Sequence, residues 1–288
     1  ADKRFQAQLD DIKNQLPDGA LLHRAIGLAV QRRASTWVTA RPLHSHETVL
    51  HKLAFRDAIR LRYAWPFPDF PEKCGCGQAF SMEHALNCSL GGFKGMAHDE
   101  VKELFAKLMI KAGYKDVCTE PVLQPLTGEH LKLKTAIKED DARSDLRVLS
   151  YWTKGRRAFF DFVGFNPYAR SYLNKSVEKN FDEKEKKKRR EYGQRIREIE
   201  HGDFSPIVFC ITGGLGPQAD VVTKRLSLRL AEKQNVPRSV AAGGINCRIS
   251  FAILRSALAC LRGSRPYRPK TEEDGCLSLA AAETKIHI

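Results

Sequence analysis

Residues 143–165 read RSDLRVLSYWTKGRRAFFDFVGF, two β-prone segments on either side of Lys154-Gly155. Aromatic and aliphatic residues favour strands, and a glycine between two such runs indicates a turn. The segment therefore predicts a β-hairpin with strands over 143–152 and 157–165. One acid interrupts each predicted strand, Asp145 the first and Asp161 the second.

The function of these two acids depends on how the hairpin turns. Two neighbouring carboxylates can bind Mg²⁺, which activates water and stabilises the charge on a scissile phosphate. A turn symmetric about Thr153 would set Asp145 opposite Asp161, with Cβ atoms roughly 5 Å apart. A two-residue turn at Lys154-Gly155 would pair Asp145 with Gly164 and separate the acids by roughly 10 Å. A structural alternative is that each acid pairs with a nearby arginine: Arg143, Arg147, Arg156 or Arg157.

The spacing of apolar residues around the hairpin predicts further helices and strands. Helices are expected over 3–15, 20–33, 45–63, 98–113, 178–201, 218–234 and 244–262, and strands over 120–123 and 204–211. Ser45 is the expected N-cap of the third helix. This order predicts an α/β fold, with a mixed sheet flanked by helices. We expect four parts: a helical lead-in at 1–66, a small zinc module at 67–94, the α/β core at 95–263 and a mobile tail at 264–288.

The zinc module is predicted from a cluster with the spacing C-x-C-x7-H-x3-C, formed by Cys74, Cys76, His84 and Cys88. Three thiolates and one imidazole complete a tetrahedron around Zn²⁺ and leave no position for water. Such a filled site stabilises a fold and does not catalyse. The alternative is a set of surface thiols beside an unrelated histidine.

The charge of the chain favours an anionic partner. The formal net charge is +14, from 48 Lys and Arg against 34 Asp and Glu, and counterion release drives non-specific nucleic-acid binding. We predict phosphate contacts from the helix over 178–201, through Lys184, Lys186, Arg189, Arg190 and Arg195. A solvated helix face is the alternative. The sequence shows neither a signal-peptide pattern nor a run of about 18 apolar residues, so secretion and a membrane span are not expected.

Several segments together resemble a known family. They are similar to the restriction-like endonuclease region, of the PD-(D/E)XK superfamily, that ends the reverse-transcriptase polyproteins of some animal retroelements. The similar segments cover about residues 35–265: STWVTA at 35–40, LRY at 61–63, the Cys/His cluster with GGF at 91–93, EPVLQPL at 120–126, the two acidic strands and 258–265. The resemblance implies a restriction-endonuclease-like core, in which a helix carrying an acid precedes the sheet.

The resemblance also implies roles for individual residues. Asp145 and Asp161 would hold a catalytic Mg²⁺ or Mn²⁺, with Glu100, Glu103 or Glu120 as a third ligand. His98 stands where similar proteins carry a histidine, and would contact phosphate or assist the metal.

The lysine of the motif would stand two residues after the second acid, on the same side of the strand. Val163 occupies that position, and valine can neither polarise water nor neutralise phosphate. We expect Lys187 or Lys188, on the following helix, to supply the missing charge.

The expected function is a metal-dependent endonuclease that hydrolyses phosphodiester bonds and nicks the target DNA of a retroelement. DNA is the expected partner, with retroelement RNA as an alternative, and a linked or formerly linked reverse transcriptase would lie upstream. A nuclear location would follow from that target, and residues 186–190 could serve as its signal. One rival is a non-catalytic nucleic-acid-binding module with a decayed nuclease centre, consistent with Val163. Another is a protein-interaction domain held together by zinc.

Overall fold

A computed structural model describes residues 2–16, 21–44, 47–128 and 131–265. The helices are α1 (Asp2–Asn14), α2 (Leu21–Ala29), α3 (Thr36–Thr39), α4 (Lys52–Tyr63), α5 (Met82–Asn87), α6 (Phe93–Lys111), α7 (Arg170–Leu173), α8 (Val177–Glu198), α9 (Pro217–Gln234) and α10 (Arg238–Arg262). The strands are β1 (Lys115–Thr119), β2 (Leu146–Leu149), β3 (Arg157–Phe165) and β4 (Asp203–Cys210). The mixed α/β class predicted from the sequence is confirmed.

The four strands form one mixed sheet in the order β1-β2-β3-β4. The first three strands are antiparallel neighbours, whereas β3 and β4 are parallel. A parallel pair requires a crossover connection, and the 22-residue helix α8 provides it. The centre of β3 and most of β4 are buried, which explains why both are nearly continuous apolar runs.

The hairpin of β2 and β3 turns symmetrically about Thr153. Leu146 pairs with Phe160 and Leu149 with Arg157, and the Ser150 amide donates to the Arg156 carbonyl at 2.7 Å. Extending this register by one residue sets Asp145 opposite Asp161. The symmetric turn is therefore confirmed, and the two-residue turn that would have paired Asp145 with Gly164 is wrong.

The strand predicted over 120–123 is wrong. The neighbour of β2 is β1, which ends at Thr119, and Val122 makes only an isolated bridge to Arg143. Glu120 has a φ of +50°, which interrupts the extended backbone, and Pro121 has no amide to donate to a ladder. Residues 120–123 still lie along the segment before β2, since the Glu120 amide donates to the Asp145 carbonyl at 2.9 Å.

Three predicted helix starts are corrected. The third helix, α4, begins at Lys52 behind the cap His51, since Glu47 has a φ of +56°; the expected cap Ser45 lies outside the described residues. Helix α6 begins earlier than predicted, directly after the left-handed Gly92. Helix α10 begins at Arg238 behind Pro237 and runs through the glycines at 243 and 244. Of the predicted tail, residues 266–288 lie outside the described part.

Three hydrophobic clusters hold the described elements together. The first joins α6, the sheet, α9 and α10, and the second joins α2, α4, α5, α10 and the ends of β3 and β4. The smaller third cluster joins α8 to β3 and to the segment before β2. Helix α10 contributes to the first two. It is the one helix in the described part that is long and apolar enough to cross a membrane, but 67% of its apolar window is buried inside the fold, as in a core helix.

Candidate functional site

Asp145 lies just before β2, where its side chain is held from two sides. The backbone amide of Phe162 donates to its Oδ2 at 2.6 Å, and the Nε2 atom of His98 lies 3.0 Å from the same oxygen. No donor among the described residues bonds to the other oxygen, Oδ1. The carboxylate is therefore oriented by β3 and α6 while one of its oxygens stays available to a ligand.

Asp161 is buried in the middle of β3, with 3% of its surface exposed. Burial raises the pKa of Asp161 to about 6, against the opposing charge of Lys188 and with a further increase from Asp145. Its Oδ2 atom forms an ion pair with the Lys188 ammonium at 3.1 Å. Burying a carboxylate is costly unless its charge is compensated, and a bound divalent cation would add to the compensation that Lys188 supplies.

Lys188 is the helical lysine that reaches the acids. Its ammonium contacts Asp161 and, at 3.2 Å, Glu191, and it lies 5.2 Å from the centre of the Tyr192 ring. Burial lowers the pKa of Lys188, but the charges and hydrogen bonds of Asp161 and Glu191 together outweigh it and the net pKa is raised. Lys187 instead points to solvent, with 74% of its side chain exposed. Lys187 and Lys188 were both predicted to supply the missing charge, and of the two only Lys188 contacts Asp161.

Three of the four nearby arginines pair with other acids. Arg147 and Arg157 both contact Asp116, and Arg156 contacts Asp203. The alternative that these three arginines neutralise the two strand acids is therefore wrong.

His98 links Asp145 to α6. Its Nδ1 atom lies 3.2 Å from Asp99 and its Nε2 atom faces Asp145. Burial lowers the pKa of His98, but the hydrogen bonds and charges of Asp145 and Asp99 together outweigh it, and the net pKa is raised. His98 therefore orients an acid of the site in this structure, a contact that the sequence did not predict.

The candidate third ligands bond elsewhere or face solvent. Glu100 accepts a hydrogen bond from Ser256 on α10 at 2.6 Å, and Glu103 is exposed. Glu120 contacts the buried ammonium of Lys102 at 2.5 Å, and Lys102 also contacts Asp99. Sequence reasoning missed Lys102 and Tyr192, although helical spacing places them on the faces of His98 and Lys188.

The Cys/His cluster is brought together as predicted. The loop before α5 is tight: the Gly77 amide donates to the Cys74 carbonyl at 2.8 Å, and Gly77 has a φ of +87°, which favours glycine. The Sγ atoms of Cys74 and Cys88 are 3.8 Å apart, and the Cys76 Sγ atom is 3.4 Å from His84 Nε2. All four ligand atoms lie within 4.8 Å of one another, so the cluster could hold a metal ion.

Most of the predicted phosphate-binding residues lie on the accessible part of α8, where several already have partners. Lys184 lies over the Phe165 and Tyr172 rings. Lys186 pairs with Asp182, and Arg189 with Glu185. Arg190 is exposed. These four cations remain candidates for phosphate contact.

Arg195 is the exception, and its prediction as a nucleic-acid contact is wrong. It has no exposed surface, and its guanidinium donates to the carbonyls of Gln124, Ile137 and Glu139. A buried cation that satisfies three carbonyls organises the loop before the hairpin, so it is not available to phosphate.

We therefore expect Arg195→Met to lower the free energy of unfolding by about 3 kcal/mol, since three carbonyls lose the donor that the buried guanidinium supplies. Denaturant unfolding measures this effect. The control Arg190→Met, at an exposed position of the same helix, should change stability by less than about 0.5 kcal/mol. Equal stability of the two variants would contradict a structural role for Arg195.

Comparisons with known proteins assign no family. No protein-family model matches the chain, and no curated protein matches its sequence.

Proposed function

We propose that this chain is a metal-dependent DNA endonuclease. The observation that carries the proposal is the hairpin, whose register ends one residue before Asp145 and Asp161. There the Phe162 amide donates to Asp145, and Lys188 contacts Asp161. Two acids can hold a divalent metal and a lysine can offset the charge that develops on a scissile phosphate, so these groups suit metal-dependent phosphodiester hydrolysis. Nicking of target DNA in the nucleus, for a retroelement, rests on the sequence resemblance alone.

The order of elements supports a restriction-endonuclease-like core. Helix α6 precedes three antiparallel strands, and α8 and β4 complete the layer. This is the order that the PD-(D/E)XK resemblance implies, with both acids supplied by the hairpin and a later helix and strand completing the layer.

The residues present fit a hard divalent cation. Mg²⁺ and Mn²⁺ prefer oxygen ligands, and the site offers the buried carboxylate of Asp161 and the Oδ1 atom of Asp145. When bound, such a metal supplies Lewis-acid activation of water and of the scissile phosphate.

The protein side chains would position and neutralise the substrate. His98 and the Phe162 amide hold the Asp145 carboxylate in one orientation. Lys188 keeps its proton, because Asp161 raises its pKa, and so carries a positive charge beside the acids. That charge would offset the negative charge that develops on the phosphate, a role that Val163 cannot fill.

We further propose that the Cys/His cluster holds structural Zn²⁺. Tetrahedral Zn–S and Zn–N bonds of roughly 2.3 and 2.0 Å imply ligand-to-ligand distances of roughly 3.5 to 3.8 Å. The separations of 3.8 Å between two thiols and 3.4 Å between thiol and imidazole agree with these values. Four protein ligands leave no site for substrate, so this metal would stabilise the fold.

The direct test of the nuclease is a plasmid-nicking assay with Mg²⁺, Mn²⁺ or EDTA, run beside Asp145→Ala. Nicking should require the metal and disappear in the variant. Absence of nicking by the wild-type chain with either metal would reject the endonuclease.

The two lysines of α8 allow a matched comparison. We expect Lys188→Met to slow nicking about a hundredfold, since loss of one electrostatic stabiliser costs about 3 kcal/mol of transition-state stabilisation. Lys187→Met, which removes the same charge from the next residue, should nick at nearly the wild-type rate. Single-turnover rates at saturating metal measure both, and equal rates would contradict the role of Lys188.

One observation favours a second candidate function. Val163 stands where the motif lysine is expected, as in a nuclease centre that has decayed while the zinc site and basic helix persist. This non-catalytic nucleic-acid-binding module predicts DNA binding without nicking, and the plasmid assay separates the two functions.

A further inference from the structure

A basic cleft lies between α9 and the first half of α10 and has a volume of about 330 Å³. The turn after α2 contributes to its wall. Its polar lining comes mainly from three separate segments of the chain: Arg32, Arg33, Lys224, Ser227, Arg238 and Asn246. None of these residues belongs to the acidic site or to the Cys/His cluster.

The cleft carries excess positive charge. Four of its residues are cations, and of the described acids only Asp220 forms ion pairs with them. Asp220 contacts Arg33, Arg32 at 3.2 Å and Lys224 at 2.8 Å. One carboxylate shared by three of the four cations leaves a net excess of three positive charges, so an anion would bind here favourably.

Arg33 is held in this cleft at an energetic cost. Its φ is +73°, a left-handed conformation that a residue with a Cβ rarely adopts. Its side chain is 5% exposed and donates to the Asn246 side chain at 2.6 Å. A strained backbone and a buried charge beside Arg32 both oppose folding, and such features concentrate where a structure prepares a binding site.

The lining indicates which anion fits. Guanidinium and ammonium groups bind phosphate oxygens, and serine and asparagine side chains add neutral donors. No aromatic residue lines the cleft, so stacking on a nucleic-acid base is not available. Helix α10 begins at the cleft with neither a side-chain cap nor an acid in its first turn, which also favours a negative ligand.

We propose that this cleft binds backbone phosphate of the nucleic acid, as a second anchoring point outside the acidic site. The choice of ligand rests on the proposed function, but the binding does not require hydrolysis. Because the cleft offers phosphate ligands and no base stacking, its contribution would be independent of sequence and sensitive to salt.

The test measures binding of the full chain to a fluorescent DNA duplex of arbitrary sequence, in EDTA, between about 50 and about 200 mM salt. The double variant Lys224→Glu/Arg238→Glu should weaken binding at least about tenfold and lower the slope of log K against log salt by about 2. Both side chains are exposed, and Lys224→Gln/Arg238→Gln should lower the slope similarly without placing a new acid beside Asp220.

The matched control is Lys115→Glu/Lys154→Glu, which makes the same change in net charge at exposed positions near the hairpin turn. The proposal would be overturned if the cleft variants and this control had the same duplex affinity and the same salt slope. It would also be overturned if the wild-type chain bound no duplex at low salt. Duplex binding with the expected slope change but without nicking would support the cleft and reject the nuclease, so the two failures are distinguishable.

Discussion

Asp161→Asn is expected to slow Mg²⁺-dependent nicking at least about a thousandfold, the loss of about 4 kcal/mol of transition-state stabilisation. The substitution keeps the shape of a side chain that is 3% exposed. It removes the negative charge that a divalent metal needs, and it introduces an amide beside the Lys188 ammonium. Single-turnover nicking at saturating Mg²⁺ measures the loss.

Unfolding should not explain this loss. Burial raises the pKa of Asp161 from 3.8 to about 6, so the folded, metal-free chain binds this proton more tightly than the unfolded chain does. The stability that the proton supplies is lost as pH rises from about 4 to about 6. Asparagine does not ionise, so Asp161→Asn is expected to be at least as stable as wild type at pH values above this window. Thermal unfolding at two pH values measures the difference.

DNA binding should also survive the substitution. In EDTA, removal of a negative charge near the phosphate cannot weaken electrostatic attraction, so the affinity for duplex should be unchanged or higher. The control Asp116→Asn neutralises an acid near the hairpin turn that pairs with Arg147 and Arg157, and it should nick normally. Wild-type nicking by Asp161→Asn, or an equal loss in both variants, would remove Asp161 from the site.

Strand periodicity predicted the acidic hairpin but could not choose its turn. The sequence offers Lys154-Gly155 as a tight turn, and local propensity favours it. The structure instead turns about Thr153, because Tyr151 and Trp152 are held by distant elements. The Tyr151 hydroxyl donates to the Val222 carbonyl at 2.7 Å, and the Trp152 indole donates to Ser205 at 3.0 Å. These tertiary contacts lie beyond what a local pattern contains.

Helical spacing in the sequence indicates which residues of α8 face the sheet and which face solvent. Phe181, Tyr192 and Ile196 are apolar residues at helical spacing, and they define the face that packs on the sheet. Lys188 lies four residues before Tyr192 and therefore on that side, whereas Lys187 faces solvent. The same spacing places Arg195 beside Ile196 on the buried face. The number of basic residues in a helix therefore does not show which of them can contact phosphate.

The basic cleft could not have been found from the sequence. Its cations come from residues 32–33, 224 and 238, which no motif or spacing connects. Helix packing brings them together, through the contact of α9 with α10 and of Arg33 with Asn246. The Cys/His cluster is the opposite case, because its four ligands lie within fifteen consecutive residues, from Cys74 to Cys88, and local spacing alone could predict it.

Cys74→Ser is expected to abolish binding of the proposed structural zinc and to lower the melting temperature by about 7 °C. A structural zinc supplies on the order of 10 kcal/mol to the folding of a small module. If about 4 kcal/mol of this contributes to global unfolding, the melting temperature falls by about 7 °C, since the unfolding entropy is about 2 cal/mol/K per residue. Helix α5 couples the Cys/His cluster to the rest of the fold. Its residues Ala85 and Leu86 are buried in the cluster shared with α4 and α10, and Arg265 donates to the Ala85 carbonyl at 3.0 Å.

Zinc content after dialysis and thermal unfolding together test this expectation. The control is Cys118→Ser, which changes a half-exposed thiol on β1 outside the Cys/His cluster, and it should retain zinc and melt within about 2 °C of wild type. Retention of zinc by Cys74→Ser would show that the ligand set is wrong. Loss of zinc without a change in melting temperature would show that α5 folds independently of α4 and α10, against the shared cluster in which their side chains are buried.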